Sequence, residues 1–210
     1  NRAVNVAEEK RERYAAEVKF HRAFHYWLLT SFFGDVPLVT KTLTMDSEDL
    51  YAGRDPRATV IDFILDDLET SYSHLPAFIE PASKDFGRIS QAASLALMAR
   101  IALQNNRFDV AERASKRIID MQTYTLYSTG KPESDYFDLF TFGGRASRNS
   151  KNREVILSYV YNYDLGNAGT RHNLSRELQV PDQEIRFQPT RDLVDSYLCI
   201  DGLPFNRSPL

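Results

Sequence analysis

Residues 14–37 read YAAEVKFHRAFHYWLLTSFFGDVP, and the apolar pattern of this stretch decides the fold class. Apolar side chains recur here at positions i, i+3, i+4, i+7 and i+8, a spacing that lines one side of an α-helix: Phe20, Ala23, Phe24, Trp27 and Leu28. The sequence Gly34-Asp35-Val36-Pro37 follows, with a glycine that ends helices and a proline that cannot continue them. We predict a long helix that ends near Phe33.

Three more helices are predicted downstream of the first. Asp55 as N-cap and Pro56 at the first helical position announce the second helix, whose apolar residues keep helical phase from Ile61 to Leu75. Ser90 is the predicted N-cap of the third helix. The turn at 105–107 should fold the fourth helix back on the third, as a helical hairpin.

This hairpin carries one copy of a tetratricopeptide-like pattern. Small or apolar residues stand near the positions where that repeat needs them: Leu95, Ala99, Ala102, Ala111, Ser115 and Ile118. A single unit of this kind cannot bury both of its faces, so the two earlier helices should stack against it. The predicted fold is therefore mainly α, with a tetratricopeptide-like scaffold of helical pairs.

The second half of the chain has a different character. Helical phase is lost over 123–153, which predicts a partly irregular surface excursion, and the alternating run Glu154–Tyr163 predicts a short strand. A short helix capped by Thr190 is expected near the end. We therefore divide the chain into a helical scaffold at 1–122 and a loop-rich, ligand-side segment of the same domain at 123–210, with short strands and an incomplete C-terminus.

Composition and charge limit the class of protein. The chain has 210 residues, of which 42% are hydrophobic and 26% charged, and its formal net charge is −3. These values are typical of a globular chain and leave no broad positive field for nucleic acid. The single cysteine, Cys199, excludes an internal disulfide or a multi-thiolate metal cluster. The chain begins at Asn1 without a signal segment, which we expect to have been removed by processing or truncation.

One helical face could offer ligands to a metal ion. Glu17, His21 and His25 stand at i, i+4 and i+8, on the same side of the first predicted helix. The zincin motif needs a glutamate directly after its first histidine, and Arg22 occupies that position. We therefore favour packing or hydrogen-bonding roles for these histidines and predict that the chain holds neither a metal nor another cofactor.

Catalytic patterns are weak throughout the sequence. Carboxylate pairs occur at Glu8-Glu9 and Asp66-Asp67, but adjacent helical residues point about 100° apart and cannot flank one substrate bond. The sequence contains no Gly-x-Ser-x-Gly elbow, Walker A loop or dinucleotide-binding glycine pattern. We predict that the protein is not an enzyme.

The best candidates for ligand binding lie where the predicted strand runs into a loop. Tyr161 and Tyr163 could offer flat apolar rings, and Asn162, Arg171 and His172 could hydrogen-bond to hydroxyl groups. Sugars are recognised by this combination of rings and polar groups. The alternative interpretation of the same residues is a half-buried strand beside a solvated loop.

Five segments in order resemble the SusD/RagB family of outer-membrane nutrient-binding lipoproteins of Bacteroidetes. The most specific segment joins the first helix to the Gly-Asp-Val-Pro loop, and the order of the five strengthens the resemblance. The segments are 16–39, 57–76, 87–100 with its hairpin, 152–158 and 189–202.

The resemblance implies a surface-exposed binding protein that captures an oligosaccharide and passes it to a SusC-like TonB-dependent transporter. It also implies localisation at the outer membrane through a lipid anchor, although a lipidated N-terminal cysteine is absent from this sequence. Two alternatives remain open. The chain could belong to a peptide-binding receptor like RagB, or to a structural helical-repeat subunit of an outer-membrane assembly.

Overall fold

The structure is a computed structural model, and it shows a chain built mainly of helices. It describes residues 5–81, 83–141, 152–161, 188–199 and 201–209. The α-helices in this part of the chain are α1 Glu8–Phe33, α2 Arg57–Ser71, α3 Gln91–Gln104, α4 Phe108–Asp120, α5 Pro132–Leu139 and α6 Arg191–Asp195. Over the same residues, extended pairing is limited to the isolated bridges Val36–Asp55 and Leu198–Pro204. The mainly α prediction is confirmed.

The α-carbon contacts divide the chain into two compact units. The first comprises 1–130 and 135–158, and the second comprises 131–134 and 159–210. Helices α1 to α4 belong to the first unit and α6 belongs to the second. The division of function at residue 122 stays a prediction.

The core of the first unit is built around α2. This helix contacts α1 on one side and α3 on another, and α3 in turn packs against α4. Apolar side chains of α2 are buried in these contacts: Val60, Ile61, Ile64, Leu65 and Leu68. Because α2 has neighbours on both sides, it joins the first helical pair to the hairpin.

Helix α1 buries the stripe that its sequence predicted. Phe20 and Ala23 are buried against α2, and Phe24 and Trp27 pack partly buried at the edge of the same core. The helix ends at Phe33, and its C-cap is Gly34, whose φ of 70° is accessible to glycine and whose N–H donates to Thr30 O at 3.1 Å. The predicted stop at the Gly-Asp-Val-Pro sequence is therefore correct.

The predicted capping of α2 is wrong in detail. The helix begins at Arg57 with Pro56 as its N-cap, one residue later than expected. Asp55 Oδ2 accepts the backbone N–H of Leu38 at 2.8 Å, whereas Asp35 Oδ1 accepts the N–H of Arg57 at 2.8 Å. A carboxylate distant in sequence therefore accepts the hydrogen bond of the first backbone N–H of α2, because the loop after α1 runs beside the start of this helix.

The α3–α4 hairpin forms as its sequence predicts. The Ser90 hydroxyl caps α3 by accepting the N–H of Ala93 at 3.2 Å. The chain then reverses at Asn106, which adopts a left-handed φ of 59°. Ala102 of α3 and Ala114 of α4 are almost fully buried, and their small side chains let neighbouring helices approach closely.

A buried carboxylate ties α2 to α1. Asp67 is 4% exposed, and both of its oxygens accept hydrogen bonds from the Arg22 guanidinium, at 2.7 and 2.8 Å. Lys19 Nζ lies 3.7 Å from the same carboxylate. Two cations therefore compensate the buried charge, as a buried carboxylate requires.

One prediction for the second half of the chain is wrong, and another missed a helix. The excursion over 123–153 contains a helix, α5, at Pro132–Leu139. The predicted strand Glu154–Tyr163 is not formed over its described residues, which are irregular as far as Tyr161. A hydrogen bond from a neighbouring loop holds the start of this segment instead, from Tyr127 N–H to Glu154 Oε2 at 2.8 Å.

We expect the variant Asp67→Ala to lower the free energy of unfolding by about 2 kcal/mol, because Arg22 would lose two charged hydrogen bonds. Urea unfolding of the full-length protein measures this change. Asp66→Ala is the matched control, since Asp66 is exposed on the same helix; its effect should stay within about 0.5 kcal/mol. Equal losses in the two variants would contradict the proposed ion pair.

We expect Ala114→Leu to destabilise the protein by about 1–3 kcal/mol, because the larger side chain would overpack a filled helical interface. Ser115→Leu provides the comparison on the adjacent, exposed position of α4. That variant should unfold at nearly the same urea concentration as the original protein. An Ala114→Leu variant of unchanged stability would show that the interface is loosely packed.

Candidate functional site

Tyr161 lies exposed beside a second tyrosine, in the second unit. The side chains of Tyr159 and Tyr161 are 79% and 45% exposed, with ring centroids 5.0 Å apart and planes inclined by 43°. The two rings therefore present adjoining apolar surface to solvent. Tyr159 stood in the predicted strand but was not among the predicted ligand-binding residues.

The other predicted ligand-binding residues cannot be placed beside this pair. Asn162, Tyr163, Arg171 and His172 lie outside the described residues. Their part in a site with Tyr161 stays a prediction.

Exposed aromatic residues also occur on α5 and directly after its last residue, where the sequence predicted no helix. Tyr136, Phe137 and Phe140 are each more than half exposed, and the Tyr136 and Phe140 rings meet edge to face at 5.2 Å. Phe140 directly follows the last residue of α5 and stands four positions after Tyr136, so the helical spacing at this end brings the two rings to one side. Pro132 after Gly130, with Glu133 in the first turn, was the signal that could have revealed α5.

A small enclosed cavity lies in the first unit, near the start of α3. Phe78, Tyr124 and Ile156 contribute to its lining, and its volume of about 20 Å³ fits at most a water molecule. Burial raises the pKa of the Tyr124 phenol, because the ionised form would lose its hydration. Arg153 covers the Phe78 ring at 4.3 Å from the centroid. This cavity is too small for a sugar.

The residues considered for metal binding do not converge on one point. Glu17 accepts hydrogen bonds from Arg88 at 2.6 and 3.2 Å, whereas His21 and His25 are exposed. The ring of His25 bonds to its own helix, at 2.7 Å from His21 O. Among the residues that the structure describes, no group of three or more His, Cys, Asp or Glu side chains is placed to hold a metal ion.

The adjacent carboxylates of α2 have different surroundings. Asp67 is buried and bonded to Arg22, while Asp66 is exposed on another side of the helix. The two groups therefore do not face each other, as their spacing predicted.

Among the described helices, none is long and apolar enough to cross a membrane.

Comparison with known proteins places this fold among known relatives. A family model described as "Starch-binding associating with outer membrane" matches residues 2–103. The chain is 29% identical over 160 residues to the SusD-like protein P25 of Formosa agariphila, and the match covers 76% of this chain and 28% of that protein. The chain thus spans less than a third of this curated relative.

Solved structures show the same likeness. A SusD-like protein from Bacteroides fragilis matches with a TM-score of 0.65 and 28% identity, over 75% of this chain and 29% of that one. A laminarin-binding SusD-like protein matches with a TM-score of 0.51 and 26% identity, over 60% of this chain and 26% of that one. The sequence matches and the shared helical fold agree with the resemblance read from the five segments. The family model, the SusD-like curated relatives and the SusD-like solved structures together support a protein of the SusD/RagB type.

Proposed function

We propose that this chain is part of a non-catalytic surface protein that binds oligosaccharides. The match to the family model described as "Starch-binding associating with outer membrane" supports this proposal, as does the similarity to a SusD-like protein that binds laminarin. Because the chain spans less than a third of the curated relative P25 and of the Bacteroides fragilis protein, the proposal concerns the whole protein to which it belongs.

The observation that carries the proposal is the exposed pair formed by Tyr159 and Tyr161. One face of a pyranose ring presents mainly C–H groups, and an exposed aromatic ring offers a matching apolar surface. Two adjoining rings could contact successive sugar units of a chain. Asn162, Tyr163, Arg171 and His172 are proposed to add hydrogen bonds to the sugar hydroxyls and a further ring.

The proposal extends to the assembly in which the protein works. We infer that a lipid anchor holds it at the outer membrane and that it passes its cargo to a SusC-like TonB-dependent transporter. The family description, which refers to association with the outer membrane, supports the location. The transporter partner rests on kinship with the SusD/RagB family.

A second candidate function is that of a structural subunit, and the open face of the α3–α4 hairpin favours it. Leu103 and Phe108 are both 61% exposed and border a groove of about 390 Å³ on this face. An exposed apolar groove of this kind is typical of protein-binding helical repeats. A peptide-binding receptor like RagB is the remaining alternative for the ligand.

We expect Tyr161→Ala to weaken binding of laminarin oligosaccharides about tenfold, because the sugar would lose one stacking ring. Isothermal titration calorimetry of the full-length protein measures the affinity. Tyr51→Ala is the control, since Tyr51 is an exposed tyrosine outside the proposed site. Binding that is equal in both variants would exclude Tyr161 from the site.

A glycan array and a peptide library, probed with the full-length protein, test the class of ligand. The proposal predicts binding to one or more glycans without their hydrolysis. Binding to peptides alone would support the RagB-like alternative. Hydrolysis of a bound glycan would refute the non-catalytic proposal.

Co-purification separates the receptor from the structural subunit. We expect a SusC-like transporter to be retained by the full-length protein, and we expect Tyr161→Ala with Tyr163→Ala to abolish glycan uptake while retention continues. Full uptake by this double variant, with the transporter still bound, would favour the structural role.

A further inference from the structure

A polar groove opens between the first turn of α2 and the turn that joins α3 to α4. It encloses about 400 Å³, within the range of about 300–1,000 Å³ common for small-molecule sites. Two guanidinium groups and three amides line it over an apolar floor: Arg57, Arg107, Gln104, Asn105, Asn106 and Ile61. All of these residues belong to the first unit.

Arg57 carries the charge in this groove that lacks a partner among the described residues. Its Nε atom is buried and has no hydrogen-bond acceptor. A charged group with a buried N–H that lacks an acceptor is costly, and no carboxylate among the described residues forms an ion pair with this guanidinium, so an anion in the groove at its terminal NH₂ groups would stabilise the charge. The backbone N–H of Arg57 already donates to the Asp35 carboxylate. Of the donor groups of Arg57, the guanidinium therefore remains to bind an anion.

The neighbouring groups add hydrogen-bond donors. Arg107 Nη2 donates to Asp62 Oδ1 at 2.8 Å, which neutralises that guanidinium but leaves its other N–H groups for a ligand. Gln104 Oε1 accepts the indole N–H of Trp27, so the NH₂ of this amide remains able to donate. The groove therefore combines one uncompensated positive charge with several donors.

We propose that this groove binds an acidic sugar, through the carboxylate of a uronate or the sulfate of a sugar ester. Arg57 would bind the oxyanion, because the planar guanidinium fork matches two oxygens at once. The amides of Gln104 and Asn106 would bind ring hydroxyls. The inference rests on the proposed glycan-binding function and adds a second binding site, separate from Tyr161, for charged sugar units.

Calorimetric titration of the full-length protein with glucuronate, glucose 6-sulfate, glucose and sodium sulfate tests this site. We expect at least one acidic sugar to bind about tenfold more tightly than glucose and than sulfate alone, with Arg57→Gln removing this preference. Arg54→Gln, an exposed arginine outside the groove, changes the net charge equally and should leave binding unchanged. Arg57→Lys should restore part of the affinity, because it keeps the charge but loses the fork.

Three results would overturn the proposal. They are equal affinity for glucose and both acidic sugars, equal losses in Arg57→Gln and Arg54→Gln, and sodium sulfate binding as tightly as the sugar sulfate. Urea unfolding of Arg57→Gln confirms that the variant is folded. Laminarin binding distinguishes the two sites, because the Arg57→Gln variant should still bind laminarin. If the original protein bound glucuronate but not laminarin, the proposal of a neutral-glycan site at Tyr161 would be refuted, while the proposal of the Arg57 site would stand.

Discussion

The burial of α2 between α1 and α3 is the interaction on which the rest of the first unit depends. Val60, Ile64 and Leu68 of this helix are completely buried, and each such side chain contributes about 1.5–3 kcal/mol when removed from water. Without α2 the α3–α4 hairpin would expose one apolar face, and α1 would expose another. The same helix also carries Asp67, so its packing fixes where Arg22 must lie.

Sequence periodicity predicted this scaffold well because each helix shows its buried face locally. The stripe from Phe20 to Trp27, the Ser90 cap and the turn at 105–107 all depend on residues close together in the chain. The cap of α2 failed for the opposite reason. Asp35 stands 22 residues before Arg57, and only the folded loop brings the two together.

The candidate site was harder to predict, since it depends on loops rather than on periodic elements. Alternation over Glu154–Tyr163 suggested a strand, but the described residues have no partner strand that would complete a sheet. Tyr161 is exposed, as a binding residue must be. Its ring contact with Tyr159 could not be predicted from the sequence and became visible only in the structure. The groove at Arg57 was also hidden, because its residues come from two distant turns.

Amide hydrogen exchange on the full-length protein tests most directly whether α2 holds the scaffold together. We expect the central amides of α1, α2 and α3 to exchange only through one shared unfolding event, with equal free energies and equal responses to denaturant. If the α1–α2 pair opened at a clearly lower free energy than the α3–α4 hairpin, the two pairs would be independent. That result would contradict a core built around α2.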